Sequence, residues 1–344
     1  TLDGTLFPYT TLFRSNNFDV FKYSNGTLEN EWNGEGDVHI LGLSADAEHN
    51  VLYVGGASIY EDYALNAFIY ARNPDGNWHN LKRNIFDNCT FDQNAMPLST
   101  VAFGTNGKGL AGGRKYDQSP TTGPIMRYDG CNWYPWTEKH YESAAVATID
   151  GDTGFFATRS KVYRISDSEG VVEESIPNTK GRFILNLLVF GDEIWGMGEW
   201  GLLWYRSTEG IWEEIETGSD LNFFDGVKHD GQIYLSAGVM YNDGGTELYR
   251  LNGTELESVA VPPYPDDFNS GNRGNMRDIS LDDGNYMHYH MHVIHLLSKD
   301  GALYMARNDG IWRLEGTDGW QQLLEDSEGR NGHVMALESC GDTI

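Results

Sequence analysis

Residues 184–215 read ILNLLVFGDEIWGMGEWGLLWYRSTEGIWEEI. An apolar run ends at Gly191 and Asp192, a second follows to Gly198, a third starts at Leu202, and a Gly210 turn leads into a short run opening on Trp212. Short apolar runs rich in β-prone residues and divided by Gly, Asp or Asn signal strands joined by hairpins. The segment therefore predicts four antiparallel strands in close succession.

The same four parts recur along the chain. They appear as VHILGLS, VLYVGGA, NAFIYAR and NWHNL; as STVAFGT, GLAGGRK, PIMRYDG and NWYPW; and as AAVATID, GFFATRS, KVYRIS and VVEES. Beyond residue 215 come FFDGVKHDGQIYLSAG with TELYRLNGTELESV, then VIHLLSKDGALYMARNDGIWRLEGTDGWQQLL. A period of roughly 40 residues, each unit a four-stranded sheet, indicates a propeller or solenoid. Six units are whole. HVMALESCGDTI at the C-terminal end supplies a first strand and the start of a second, and FDVFKYSNGTLENEW near the N-terminal end a third and fourth. Joining them removes the open edges of the ring, so the expected fold is all-β: a seven-bladed β-propeller, six blades whole and one composite, clipped at Ile344.

Composition agrees. With 344 residues and 40% hydrophobic content the chain can bury a large core, and 41 Gly, 19 Tyr and 10 Trp suit strands and tight turns better than helices. Twenty-four basic against 51 acidic residues leave a formal charge of -27, which repels nucleic acid and anionic membranes, and no apolar run is long enough to span a bilayer. Cys89, Cys131 and Cys340 are too few for a disulfide scaffold, although Cys89 and Cys131 could pair outside the cytosol. Asn25, Asn88 and Asn252 fit the glycosylation acceptor pattern of a secretory route.

Two resemblances bear on this reading. Residues 5–15, TLFPYTTLFRS, resemble the translation of a widely used sequencing adapter, so residues 1–15 are set aside as non-native and 16–344 taken as one domain. The third-to-fourth turns, RSTEGIW at 206–212 and SDSEGVV at 166–172, resemble degenerate Asp-box hairpins of sialidase-like propellers, with Glu209 where the motif has Asp. The pairs Gly55-Gly56 and Gly112-Gly113 resemble kelch-type blades. Both resemblances imply a fold and no catalytic residue.

In a propeller whose innermost strand comes first, the fourth-to-first and second-to-third connections share one face, where loops on a rigid scaffold carry function. Two long insertions lie there, residues 84–97 and 261–290, and the second runs into GNYMHYHMHVIHLL. In an extended chain His288, His290 and His292 point to one side, their Cα atoms about 6.5 to 7 Å apart per pair. With His333 on the neighbouring inner strand they form a candidate site for a divalent metal, Zn²⁺ or Ca²⁺; the alternative is a polar channel lining. His295, of opposite parity, is assigned to packing between sheets. The recurrent Trp32, Trp78, Trp133, Trp212 and Trp320 are assigned to interblade packing.

The same face is expected to carry Tyr60, Tyr63, Tyr116, Trp200, Tyr241 and Arg307 as substrate-binding residues, aromatics for sugar rings beside cations for carboxylates. The leading expectation is an extracellular carbohydrate-recognising propeller acting on anionic polysaccharide. In a lyase, His290 or Tyr289 abstracts a proton beside a carboxylate neutralised by Arg114 or Arg159; a hydrolase would draw on Glu61, Asp62 and Asp243. The alternatives are a non-catalytic adhesive or structural module with protein partners in a surface assembly, and a kelch-like intracellular adaptor.

Overall fold

The computed structural model describes residues 8–14, 17–24, 27–33, 38–46, 51–59, 65–80, 98–103, 108–113, 125–128, 133–136, 145–148, 153–158, 160–177, 179–238, 247–263, 279–280, 286–287, 294–307, 310–316, 319–325 and 334–339. They form a β-propeller of four-stranded antiparallel blades. Blade A comprises Val38–Asp46, Val51–Ile59, Leu65–Arg72 and Trp78–Asn80. Blade B comprises Leu98–Phe103, Gly109–Gly113, Ile125–Tyr128 and Trp133–Pro135. Blade C comprises Ala145–Thr148, Gly154–Ala157, Val162–Ser166 and Gly170–Glu173. Blade D, the segment quoted above, comprises Ile184–Phe190, Glu193–Gly198, Leu203–Arg206 and Trp212–Glu214. Blade E comprises Asn222–His229, Gln232–Gly238, Glu247–Asn252 and Glu255–Ser258. Blade F comprises His295–Lys299, Ala302–Arg307, Gly310–Glu315 and Trp320–Glu325.

Six blades are thus built from consecutive strands, against the seven of the sequence reading, which counted a composite one. The chain ends do meet in a further four-stranded sheet, in the order Thr27–Asn33, Asn17–Ser24, Pro8–Arg14, Val334–Ser339. Its makeup departs from expectation. Pro8–Arg14, from the stretch set aside as non-native, holds the second position, which the sequence reading gave to residues after Ser339. First strands of successive blades lie side by side from A to F, and Val334–Ser339 sits between those of F and A.

The hairpins follow the turn chemistry. Asp230-Gly231 and Asp300-Gly301 between first and second strands both have positive φ, 47° and 75° in one, 49° and 74° in the other, as a two-residue turn matching strand twist requires. Between third and fourth strands, Asn73 and Ser207 each accept from the Gly three residues on, Gly76 and Gly210, and donate to the residue after it.

Side chains that alternate across a strand face opposite neighbours. In blade C, Phe156 joins Leu110 and Ile125 against blade B, while Phe155 joins Ile184, Leu187 and Trp204 against blade D. Second strands are covered on both sides, and every residue of Gly154–Ala157 and Ala302–Arg307 is buried. Three of the recurrent tryptophans take part in this packing: Trp212 is buried in the C–D seam, and the Trp32 ring lies 4.9 Å from Tyr70 and 5.7 Å from Trp78.

Charged staples cross the same seams. Arg206, ending a third strand, donates through Nε to Glu174 of the preceding blade at 3.0 Å, and Trp212 Nε1 donates to the same oxygen at 3.0 Å. Arg72 repeats the arrangement toward Glu31 of the composite sheet, at 2.9 Å. In both, the arginine stands in register opposite the tryptophan that opens the fourth strand, Arg72 with Trp78 and Arg206 with Trp212.

Candidate functional site

Because first strands are innermost and neighbours antiparallel, fourth-to-first and second-to-third connections emerge on one face. One part of it lies over blade D. There residues 199–202 turn the second strand into the third, and 217–222 lead into blade E.

Trp200 stands at the tip of this turn with φ of 48°, a left-handed conformation that a bulky side chain rarely adopts. Its main chain is pinned on both sides. Trp200 N donates to Asn222 Oδ1 at 3.0 Å, and Arg182 Nη1 donates to Trp200 O at 3.0 Å. Gly201 N donates to Leu221 O at 2.6 Å, and Leu202 N closes the turn onto Glu199 O at 3.1 Å. Gly201, at φ of 74°, lies so close to the next connection that a Cβ there would sit 2.2 Å from Ser219 O. With its backbone held, the indole projects outward at 59% exposure, and Phe183 beside it on the preceding connection is 37% exposed.

The polar groups beneath these rings are committed. Arg182 donates through Nε to Thr179 O at 2.9 Å and through Nη2 to Glu214 Oε1 at 2.8 Å. Glu199 Oε2 accepts from Phe183 N at 3.1 Å. Asn222 is 1% exposed. Glu216 and Asp220, on the connection that packs against Gly201, are exposed and pair with no cation among the described residues. Sequence reasoning singled out Trp200 but missed Phe183, Arg182, Glu199 and Asn222. The compactness of EWGL was a hint, but only folding shows which buried amide holds the turn.

Arg307, one of the expected substrate-binding residues, bonds to backbone carbonyls. It is 2% exposed and donates through Nη1 to Pro262 O at 2.6 Å and through Nη2 to Pro263 O at 3.4 Å, with its guanidinium 5.0 Å from the centroid of the Trp312 ring. It clamps the start of the long connection between blades E and F and does not present a charge to solvent. Lys161 is exposed but pairs with Glu173 at 2.9 Å, and this hydrogen bond raises its pKa. His295 joins two inner strands as assigned: its Nδ1 lies 3.2 Å from Asp225 Oδ2, which also accepts from Leu296 N at 3.1 Å.

The remaining expected site residues, Tyr60, Tyr63, Arg114, Tyr116, Arg159, Tyr241, His288, Tyr289, His290, His292 and His333, lie outside the described residues, as do Cys89, Cys131, Cys340, Asn25 and Asn88. Among the described residues no group of three or more His, Cys, Asp or Glu side chains could hold a metal ion, and no helix is long and apolar enough to cross a membrane. Asn252 is exposed in the third-to-fourth hairpin of blade E, its Nδ2 2.8 Å from Glu257 Oε1.

No protein-family model matches the chain, and no curated protein matches it in sequence. Solved structures do. YCF48 bound to D1 peptide is similar at 14% identity and a TM-score of 0.53, over 85% of this chain and 82% of that one. The WD40 β-propeller domain of Doa1 is similar at 11% identity and a TM-score of 0.53, over 90% and 89% of the two chains. The β-propeller domain of the Trilobed protease from Pyrococcus furiosus, described as having an open velcro topology, is similar at 11% identity and a TM-score of 0.52, over 94% and 98%. At these identities the likeness is one of fold, and the chain is a β-propeller.

Proposed function

We propose that this protein is a non-catalytic recognition module that holds a partner protein on the face formed by the fourth-to-first and second-to-third connections. The observation that carries the reading is Trp200, a large aromatic kept outward by a backbone that every neighbouring hydrogen bond constrains. Exposed tryptophans on rigid supports dominate binding energy at interfaces because they bury much area at small entropic cost. YCF48, similar in fold, is a propeller bound to a peptide. On this reading the composite sheet serves as a seventh, closing blade, with Val334–Ser339 completing the inner ring.

An anionic polysaccharide fits less well, because the cations described on this face are spent within the protein: Arg182 on Glu214 and two carbonyls, Arg307 on two prolyl carbonyls, Lys161 on Glu173. A neutral glycan stacked on Trp200 in an extracellular setting is the second reading, favoured by the same exposed indole.

The test is a peptide display library and a neutral-glycan array, each probed with the wild type and with Trp200→Ala. Peptides retained by the wild type and lost by a variant of unchanged melting temperature are the expected result. Hits indifferent to the substitution would overturn the reading, and Trp200-dependent binding confined to the glycan array would replace it with the second.

A further inference from the structure

We infer that the segment held at Trp200 is basic, presenting an arginine or lysine to the indole face; this rests on the interaction-module reading. Three observations converge. The indole is 59% exposed on a turn that cannot withdraw it, so its negative π-face is open to a cation. The nearby cations are already committed, Lys180 and Arg182 both to Glu214, at 3.6 Å and 2.8 Å. The exposed carboxylates Glu216 and Asp220 stand on the connection whose Leu221 and Asn222 hold the Trp200 turn, and they have no partner of their own among the described residues.

The immediate surface thus offers an aromatic plate and uncompensated negative charge on a chain of formal charge -27. An acidic segment would meet repulsion at long range and find no free cation described at contact. A basic one would be drawn in by the overall field and placed by the local pair. Phe183, whose main chain bonds to Glu199 next to Trp200, is 37% exposed and is a second apolar group available to the stem of a bound side chain.

The experiment uses the full chain labelled with 5-fluorotryptophan, the Trp200 signal being assigned by its loss in Trp200→Phe. Short Gly-Ser peptides carrying Arg, Gln or Glu at every third position, and a neutral cello-oligosaccharide, are titrated while fluorine spectra are recorded. The Arg peptide should shift the Trp200 resonance saturably. Its affinity should fall about threefold in Asp220→Asn with Glu216→Gln, in the range of exposed charge contacts, and decline with added salt. Read by isothermal titration calorimetry, which needs no Trp200 signal, it should fall about tenfold or more in Trp200→Ala, as for an aromatic anchor. Equal response to the Gln peptide or the oligosaccharide would overturn the charge inference and leave the face standing. No response to any probe, with Trp200-dependent hits still present in the display library, would overturn the charge inference alone; absence of both would overturn the face as well.

Discussion

Glu174 accepts from Arg206 at 3.0 Å across the seam between blades C and D, and the same carboxylate takes Arg164 Nε at 2.8 Å and Trp212 Nε1 at 3.0 Å. Burial pushes its pKa up, but hydrogen bonds from Arg164 and Arg206 outweigh that and hold it below the usual 4.5. A depressed folded value means that the contribution is full above the unfolded pKa and is lost as pH falls through the folded one. Urea midpoints should therefore drop below about pH 4.5, and Glu174→Gln should lack that component of the drop. At neutral pH Glu174→Ala, which leaves Arg206 without its carboxylate while Arg164 keeps Glu169, should cost about 1–3 kcal/mol; an unchanged urea midpoint would mean that the seam tolerates the unpaired arginine.

Trp200 in its left-handed turn should carry a strain cost that Gly would relieve. We expect Trp200→Gly to raise unfolding stability by roughly 1 kcal/mol while abolishing ligand binding, since a side chain in that conformation costs about 1–2 kcal/mol. Denaturant titration of the pair decides it. A destabilised Gly variant would show that the ring packs for stability and is not held out for a partner.

Gly201→Ala tests the support of the same turn from below. A Cβ would meet Ser219 O at 2.2 Å, at a φ of 74°, so the turn must move. A loss of about 1–3 kcal/mol and weakened binding are expected together. Asn222→Ala, which leaves Trp200 N unsatisfied beside a buried position, should behave alike at about 1–3 kcal/mol.

Deleting residues 1–14 should lower the melting temperature. Pro8–Arg14 pairs with Asn17–Ser24 on one side and Val334–Ser339 on the other, and its removal leaves two unpaired strand edges facing each other across a gap. Exposed edges recruit strands from other chains, so the trimmed protein should also shift toward dimers in size-exclusion chromatography. An unchanged melting curve would show that this strand adds nothing to closure.

The repeat was legible because it is local. Strand alternation, the Asp-Gly turns at Asp230 and Asp300, and the spacing from Arg206 to Trp212 all follow from neighbours in sequence. Trp200 was legible as exposed, since it falls in a turn too short to bury it. The partners of Arg307, the carbonyls of Pro262 and Pro263, were not legible because they lie across a blade boundary, and backbone acceptors leave no trace in residue identity. Asn222 was missed for the same reason: a polar residue at a strand entry reads as solvated until the fold buries it. Pro8–Arg14 was not read as the second strand of the composite sheet because its resemblance to a sequencing adapter set it aside, and its place there is set by pairing with two segments far apart in sequence.

That sheet also governs the order of folding. Blades A to F each close over a few tens of residues at most between paired strands, whereas pairing Tyr9 with Glu338 must gather nearly the whole chain. Loop-closure entropy grows with separation, and non-local pairing slows the rate. The ring should therefore assemble as an open arc of early-formed blades and clasp last, in a step whose competitor is the corresponding strand of another molecule.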